Sequence, residues 1–297
     1  MLDLMIPPIV AALVILALHA YLGLHVIARE VIFVDLAFAQ IAALGTTVAL
    51  LAGFAPGTEM SIVFALGATF LGAGLFSLTR MEGSAVPQEA IIGIAYVVAS
   101  AAVILLAGMT AEGAEHIKET LTGTLLWVSW EQIGKMTVPY AVIALFHFFV
   151  RKHLLAISFH PEKARNIKLW DFLFYLSFGI AISFSVEIAG VLMVFSTLVI
   201  PAVVAFFFTD RFGMALVLAW VAGTVAIVGG VVASFAWDLA TGPLLVCSFG
   251  AVLVIAMVLR PFIGVRPGSR IRVQGMSGED GHLAQPATGE LSGVSGD

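Results

Sequence analysis

The chain has 297 residues, 61% of them apolar and only 11% charged, with a mean hydropathy of +1.08. A soluble domain carries about 25% charged residues, so a water-soluble globule is excluded and a polytopic membrane protein is the direct reading. The net charge of −5 and the sparse basic residues, grouped in short loops, exclude a nucleic-acid binder.

No Lys or Arg precedes the first apolar run, and that run outlasts the apolar region of a signal peptide, so it reads as a genuine first span. Apolar runs long enough to cross about 30 Å of hydrocarbon fall at 5–27, 31–53, 60–80, 88–109, 131–150, 169–188, 190–208, 213–236 and 241–260. The sixth and seventh are separated only around Glu187 to Gly190, which leaves eight spans if one of them is re-entrant or broken. The predicted class is therefore an all-α transmembrane helical bundle over 1–262. The Gly- and Ser-rich remainder, 263–297, cannot bury a core and reads as a disordered cytoplasmic tail.

Charge placement sets the orientation. With the loop Arg151–Lys168 on the cytoplasmic side, alternation over nine spans brings 12 of the 14 Lys and Arg to that side, leaving only Lys118 and Lys135 outside. This is the bias of the positive-inside rule; it gives an N-terminus out and a C-terminus in.

Within this apolar background a few polar residues stand out. Asp35 lies in a helical stretch flanked by membrane-compatible sequence, and a carboxylate there costs about 2.5–3.5 kcal/mol on insertion scales, which marks a transport or ion-pathway residue. Gln40 follows on the same helix, and His19 and His25 precede it; oxygen and imidazole donors suit zinc, manganese or iron(II). Asp35 and Gln40 are five apart and diverge around a helix, as do His19 and His25, which are six apart. In the outer loop 111–120, helical spacing would pair Glu112 with His116 and Glu115 with Glu119, a patch able to attract cations or to dock a partner. The inner loop 151–168 mixes Leu154, Leu155, Ile157 and Phe159 with basic residues and offers Pro161 and Glu162 as the start of a short amphipathic helix. Cys247, the single cysteine, reads as a small buried hydrophobe. The chain carries no phosphate-binding loop, zinc-protease motif or nucleophile elbow, so energy for transport, if from ATP, comes from another polypeptide.

Several segments carry a resemblance. Leu22 and Gly23, Arg29, and the run Phe33, Val34, Asp35, Leu36, Ala37 look like a first cytoplasmic turn followed by a Phe-Gly-Asp-Ala-Leu-Ser-His segment. Glu89 to Gly93 is similar to a short motif opening the fourth span, and Phe159 to Ala164 to a cytoplasmic Asp-Pro-Glu-x-Ala segment. Gly190 to Ala202 resembles a distinctive later motif, and Asp238 to Pro243 a last outer turn. In this order and at compatible spacing, they resemble the permease subunit of the zinc/manganese/iron ABC importers over about 5–260. The resemblance implies a homodimer of packed helices with its translocation path at the dimer interface, in the cytoplasmic membrane of a prokaryote. It also implies a cytoplasmic ATPase dimer that binds ATP and an extracytoplasmic metal-binding protein. The cargo would be a divalent metal ion, zinc or manganese first and iron next, with no cofactor held permanently and no enzymatic activity in this chain. The family's metal residues are an Asp and the His four positions later; Asp35 matches the first, while Ala39 occupies the second, with Phe38 before it. Asp35 is thus the expected metal contact, with His25, Gln40, Glu112 and His116 as further candidates. Phe159, Pro161, Glu162, Ala164 and Arg165 are the expected ATPase-coupling residues, although Asn166 and Ile167 stand where the family carries a Gly. Two alternatives are import of a metal chelate or small organic solute, and an ion-coupled secondary carrier in which Asp35 titrates.

Overall fold

The computed structural model describes residues 2–55, 57–80, 86–109, 121, 123–161 and 164–263. Eight helices are long and apolar enough to cross a membrane: α1 (Leu2–Ala28), α2 (Val34–Leu51), α3 (Glu59–Thr79), α4 (Gln88–Ala107), α5 (Trp130–Phe159), α6 (Ile167–Phe208), α7 (Phe212–Trp237) and α8 (Thr241–Ile263). No strand occurs among the described residues. The expected tail beyond α8 lies outside them.

The helix ends are cut by local chemistry. α1 stops at a Schellman turn in which Glu30 takes the left-handed conformation (φ 57°). The Val31 N–H donates to the Val26 carbonyl at 3.2 Å and the Glu30 N–H to that of Ile27 at 3.1 Å, and Val26 and Val31 are both buried. α2 ends in the same way at Gly53. At the start of α5, Ser129 and Gln132 form a reciprocal capping box.

α6 settles the number of crossings. Its 42 residues are interrupted at Gly190, where φ 75° and ψ 159° are helical for no residue and accessible essentially to Gly alone. Before the break, Asp171 bonds Arg29 at the end of α1, and Ser185 meets His19 two to three turns back along α1. A straight continuation would carry Leu198 about 20 Å beyond His19. Instead Leu198 and Ala202 pack against Gly23, near the Arg29 end, so tightly that no Cβ fits on that glycine. The chain therefore reverses at Gly190. Its arms, 167–189 and 191–208, measure about 34 and 27 Å at 1.5 Å per residue, each close to one hydrocarbon thickness. Eight helices thus make nine crossings. Gly123, itself at φ 69°, abuts the Ala189–Gly190 backbone with no room for a side chain, and the Thr124 N–H donates to the Ile188 carbonyl at 3.0 Å.

α6 packs on α1, α2, α3, α5, α7 and α8, and α2 packs on α3, α4 and α6. Aromatic stacks fill the centre: Phe38, Phe76, Phe174, Tyr175 and Phe178 are fully buried and in mutual ring contact. α4, α5 and α8 are peripheral and expose large apolar side chains such as Leu105, Phe149 and Phe262, as helices facing lipid or another subunit must. Cys247 sits exposed on α8, contrary to the sequence expectation. A peripheral helix buries one stripe only, and apolar sequence does not say which.

The inner loop also departs from expectation. Rather than a new helix opening at Pro161, α5 runs on unbroken through Arg151 to Phe159. Its 30 residues span about 45 Å, well beyond the hydrocarbon. His160 and Pro161 then turn, the Ala164 N–H donates to the Pro161 carbonyl at 3.1 Å, and Asn166 (φ 55°) leads into α6.

Candidate functional site

One end of the bundle gathers the termini of α1, α3 and α5 with the starts of α4 and α6. Here Asp171, fully buried, accepts from Arg29 at 3.0 Å and from Arg80 at 2.8 and 2.9 Å. Arg80 also donates to the Ile157 carbonyl, capping α5, while Arg29 Nε donates to Ser158 and its guanidinium lies 3.8 Å over the Phe174 ring. Charge-assisted bonds of this kind are the strong ones, and they lock the ends of α1, α3, α5 and α6 together. The structure thereby brings Arg29 and Arg80 to the same end as Arg151, as the alternation of spans requires, and the positive-inside rule makes it the cytoplasmic end.

Asp35 lies at this end, in the first turn of α2. It is 1% exposed, and neither carboxylate oxygen has a hydrogen-bond partner. The peptide N–H groups of Asp35 and Leu36 face it without reaching hydrogen-bonding geometry. The helix N-terminus offers partial positive charge, but an unpaired buried carboxylate still costs several kcal/mol. Glu89, in the first turn of α4, lies within electrostatic reach of Asp35. Its Oε1 accepts the Phe33 N–H at 3.0 Å, and its Oε2 is buried without a partner.

The other expected metal residues do not join Asp35. His25 is fully buried, but its Nδ1 shares a 2.8 Å hydrogen bond with Ser158, and its ring packs among Tyr21, Phe159, Phe174 and Phe212. His25 Nε2 is left without a partner, whereas His19 is engaged on both nitrogens: Nδ1 donates to the Ile15 carbonyl and Nε2 faces Ser185. Gln40 is buried further along α2, and Ala39 is packed at 1% exposure. Glu112 and His116 lie outside the described residues, as does Glu162. Among the described residues, no group of three or more His, Cys, Asp or Glu is placed to hold a metal ion.

Of the expected coupling residues, Phe159 packs on His25 and Phe212 at the cytoplasmic end, and Pro161 and Ala164 form the tight turn after α5. Arg165 is exposed. His153 stacks flat on Trp170 at 4.2 Å, bracing the end of α5 against the start of α6. Ala164, Asn166, Ile167, Lys168 and Leu169 line a shallow surface depression beside this turn.

At the opposite end, a cavity of about 260 Å³ opens between α2, α3 and α6, lined by Thr46, Ser61, Thr124, Gln132, Ser183 and Glu187 among others. Lys135 at its rim pairs with Glu131 at 2.7 Å and also feels Glu187 and Glu59. Among the described residues, three carboxylates stand against one ammonium here and make this mouth electronegative. Sequence reading missed both this mouth and the Arg29–Asp171–Arg80 cluster. Their members are far apart in the chain, and the only signal was that each is a charge at the edge of an apolar run.

Comparison with known proteins supplies the context. The model of the ABC 3 transport family matches residues 1–260. The chain belongs to this family. It is 27% identical over 219 residues to the manganese transport system membrane protein MntB of Synechocystis, with 69% of each chain covered. It is 28% identical over 182 residues to the chelated iron transport system membrane protein YfeD of Yersinia pestis, covering 60% of this chain and 61% of that one. Among solved structures, PsaBC from Streptococcus pneumoniae in complex with Fab matches with a TM-score of 0.68 at 19% identity, over 84% of this chain and 90% of that one. This supports the multi-pass helical fold.

Proposed function

We propose that this ABC 3 family chain is the membrane-spanning subunit of an importer that moves a divalent metal ion across the cytoplasmic membrane. Manganese or iron(II) is the first cargo to test and zinc the next. The observation that carries the reading is the family match over 1–260, with relatives named for manganese and for chelated iron. The geometry supports it physically. An electronegative mouth raises the local concentration of cations at the outer end, and an unpartnered buried carboxylate, Asp35, waits near the inner one.

ATP is hydrolysed by a separate cytoplasmic ATPase dimer that docks at the basic end. The turn from Phe159 to Arg165 and the adjoining depression are the docking element, and the His153–Trp170 stack transmits its movement to α5 and α6. The permease works as a dimer, receives its ion from an extracytoplasmic binding protein, and alternates between inward- and outward-facing arrangements as ATP is bound and released. The exposed apolar faces of α4, α5 and α8 supply surface for lipid and for the second copy.

Reconstitution decides this. The permease, coexpressed with the ATPase and binding protein encoded beside it, should take up radioactive manganese into proteoliposomes saturably and only with ATP. A second reading, import of the metal as a chelate, is favoured by Ala39 in place of the family His. Uptake that demands an added chelator would establish it instead, and uptake by the lone chain under an ion gradient would replace both with a secondary carrier.

A further inference from the structure

We propose that Glu89 is the second cargo ligand: with Asp35 it forms an oxygen-only site for a hard divalent cation such as manganese(II), joining the first turns of α2 and α4. The inference rests on the metal-import reading above and extends it to a residue outside the α2 motif.

Three carboxylate oxygens in this region, Asp35 Oδ1 and Oδ2 and Glu89 Oε2, are buried and make no hydrogen bond. Buried polar atoms are normally satisfied, and each exception calls for a reason. Here two acids within electrostatic reach of one another leave three such atoms, an arrangement that repels itself unless a cation or proton sits between. Arg29 and Arg80 are both bonded to Asp171, and neither is among the charges that act on Asp35. The fourth oxygen, Glu89 Oε1, is held by the Phe33 N–H at 3.0 Å. That bond ties Glu89 to the backbone two residues before Asp35, so the two carboxylates move together.

The donor set also points to a class of ion. No imidazole joins the pair in a group of three among the described residues; His19, His25, His147 and His153 bond or stack on Ser185, Ser158, Ser177 and Trp170 respectively, with His25 Nε2 and His147 Nδ1 left unpartnered. Carboxylate-only coordination suits manganese and magnesium, whereas imidazole and thiolate favour zinc. With Ala39 where the family His stands, a carboxylate from α4 supplies the second ligand.

Glu89→Gln separates this role from simple helix capping, because the amide oxygen can still accept the Phe33 N–H while the charge is lost. Manganese(II) binding to the assembled transporter is read by electron paramagnetic resonance titration. The wild type should bind the ion, and both Glu89→Gln and Asp35→Asn should weaken binding about tenfold or more, with no fall in unfolding temperature in detergent. Zinc should compete poorly. A Glu89→Gln transporter that binds manganese like the wild type overturns the proposal, as does a wild type that binds none at this site. Glu89→Ala, which removes cap and charge together, should lose binding and also unfold earlier. If binding behaves as stated but ATP-driven uptake is absent, the import reading fails while the carboxylate pair stands.

Discussion

Two buried aspartates at the same end of this bundle have opposite fates. Asp171 is fully enclosed and receives three hydrogen bonds from two guanidinium groups; Asp35 is equally enclosed and receives none. The first is a structural joint whose charge is spent holding α1, α3 and α6 together. The second is left unpaired at a cost in stability, as a group proposed to bind and release a passing ion would be. Burial alone therefore does not separate a structural aspartate from one left free to bind an ion.

The contrast can be broken at several points, ranked by their effect on stability. Asp171→Ala leaves two guanidinium groups without their acceptor and should cost about 3–5 kcal/mol, seen as a large fall in unfolding temperature in detergent and poor recovery from membranes. Arg80→Lys keeps the charge but loses the planar fork that joins Asp171 through Nη1 to the Ile157 carbonyl through Nη2, and should cost about 1–2 kcal/mol by the same measurement. Asp35→Asn removes an unpaired buried charge, so stability should hold or rise by about 1 kcal/mol, while ATP-driven metal uptake falls at least about tenfold. For transport the ranking is thus inverted, and uptake unchanged by Asp35→Asn would remove Asp35 from the pathway. Glu30→Gly alters the turn linking Arg29 to Asp35. Relief of left-handed strain, about 1–2 kcal/mol, outweighs the added chain entropy of glycine, about 0.5–1 kcal/mol, so the unfolding temperature should rise slightly with no change in uptake.

Much of the fold was legible in the chain because a membrane reduces the problem to apolar length and charge bias. Nine runs became nine crossings, and Arg29, Arg80 and Arg151 came to one end as alternation required. Even the doubtful boundary near Gly190 was marked by a residue that only its backbone freedom explains. The candidate site was half legible. Asp35 announced itself by chemistry that hydrocarbon does not tolerate, but His25 and Gln40 were drawn in by sequence proximity and belong to other surroundings. His25 serves Ser158 across the α1–α5 contact, a pairing no local pattern encodes. Pro161 misled in a different way: α5 continued through a basic stretch to Phe159, since a helix needs no apolar sequence once it has left the lipid.

What the sequence by itself determined is the class of molecule, its crossings and the one carboxylate that hydrocarbon should not hold, because each follows from the transfer cost of a local segment. Only the tertiary structure decided which charges are satisfied. Asp171 meets arginines from two other helices, and Asp35 meets instead a second acid, Glu89, at the start of another. Those partnerships depend on which helix ends pack side by side, and that is fixed by contacts such as Gly23 against Leu198 rather than by any property of the charged residues themselves.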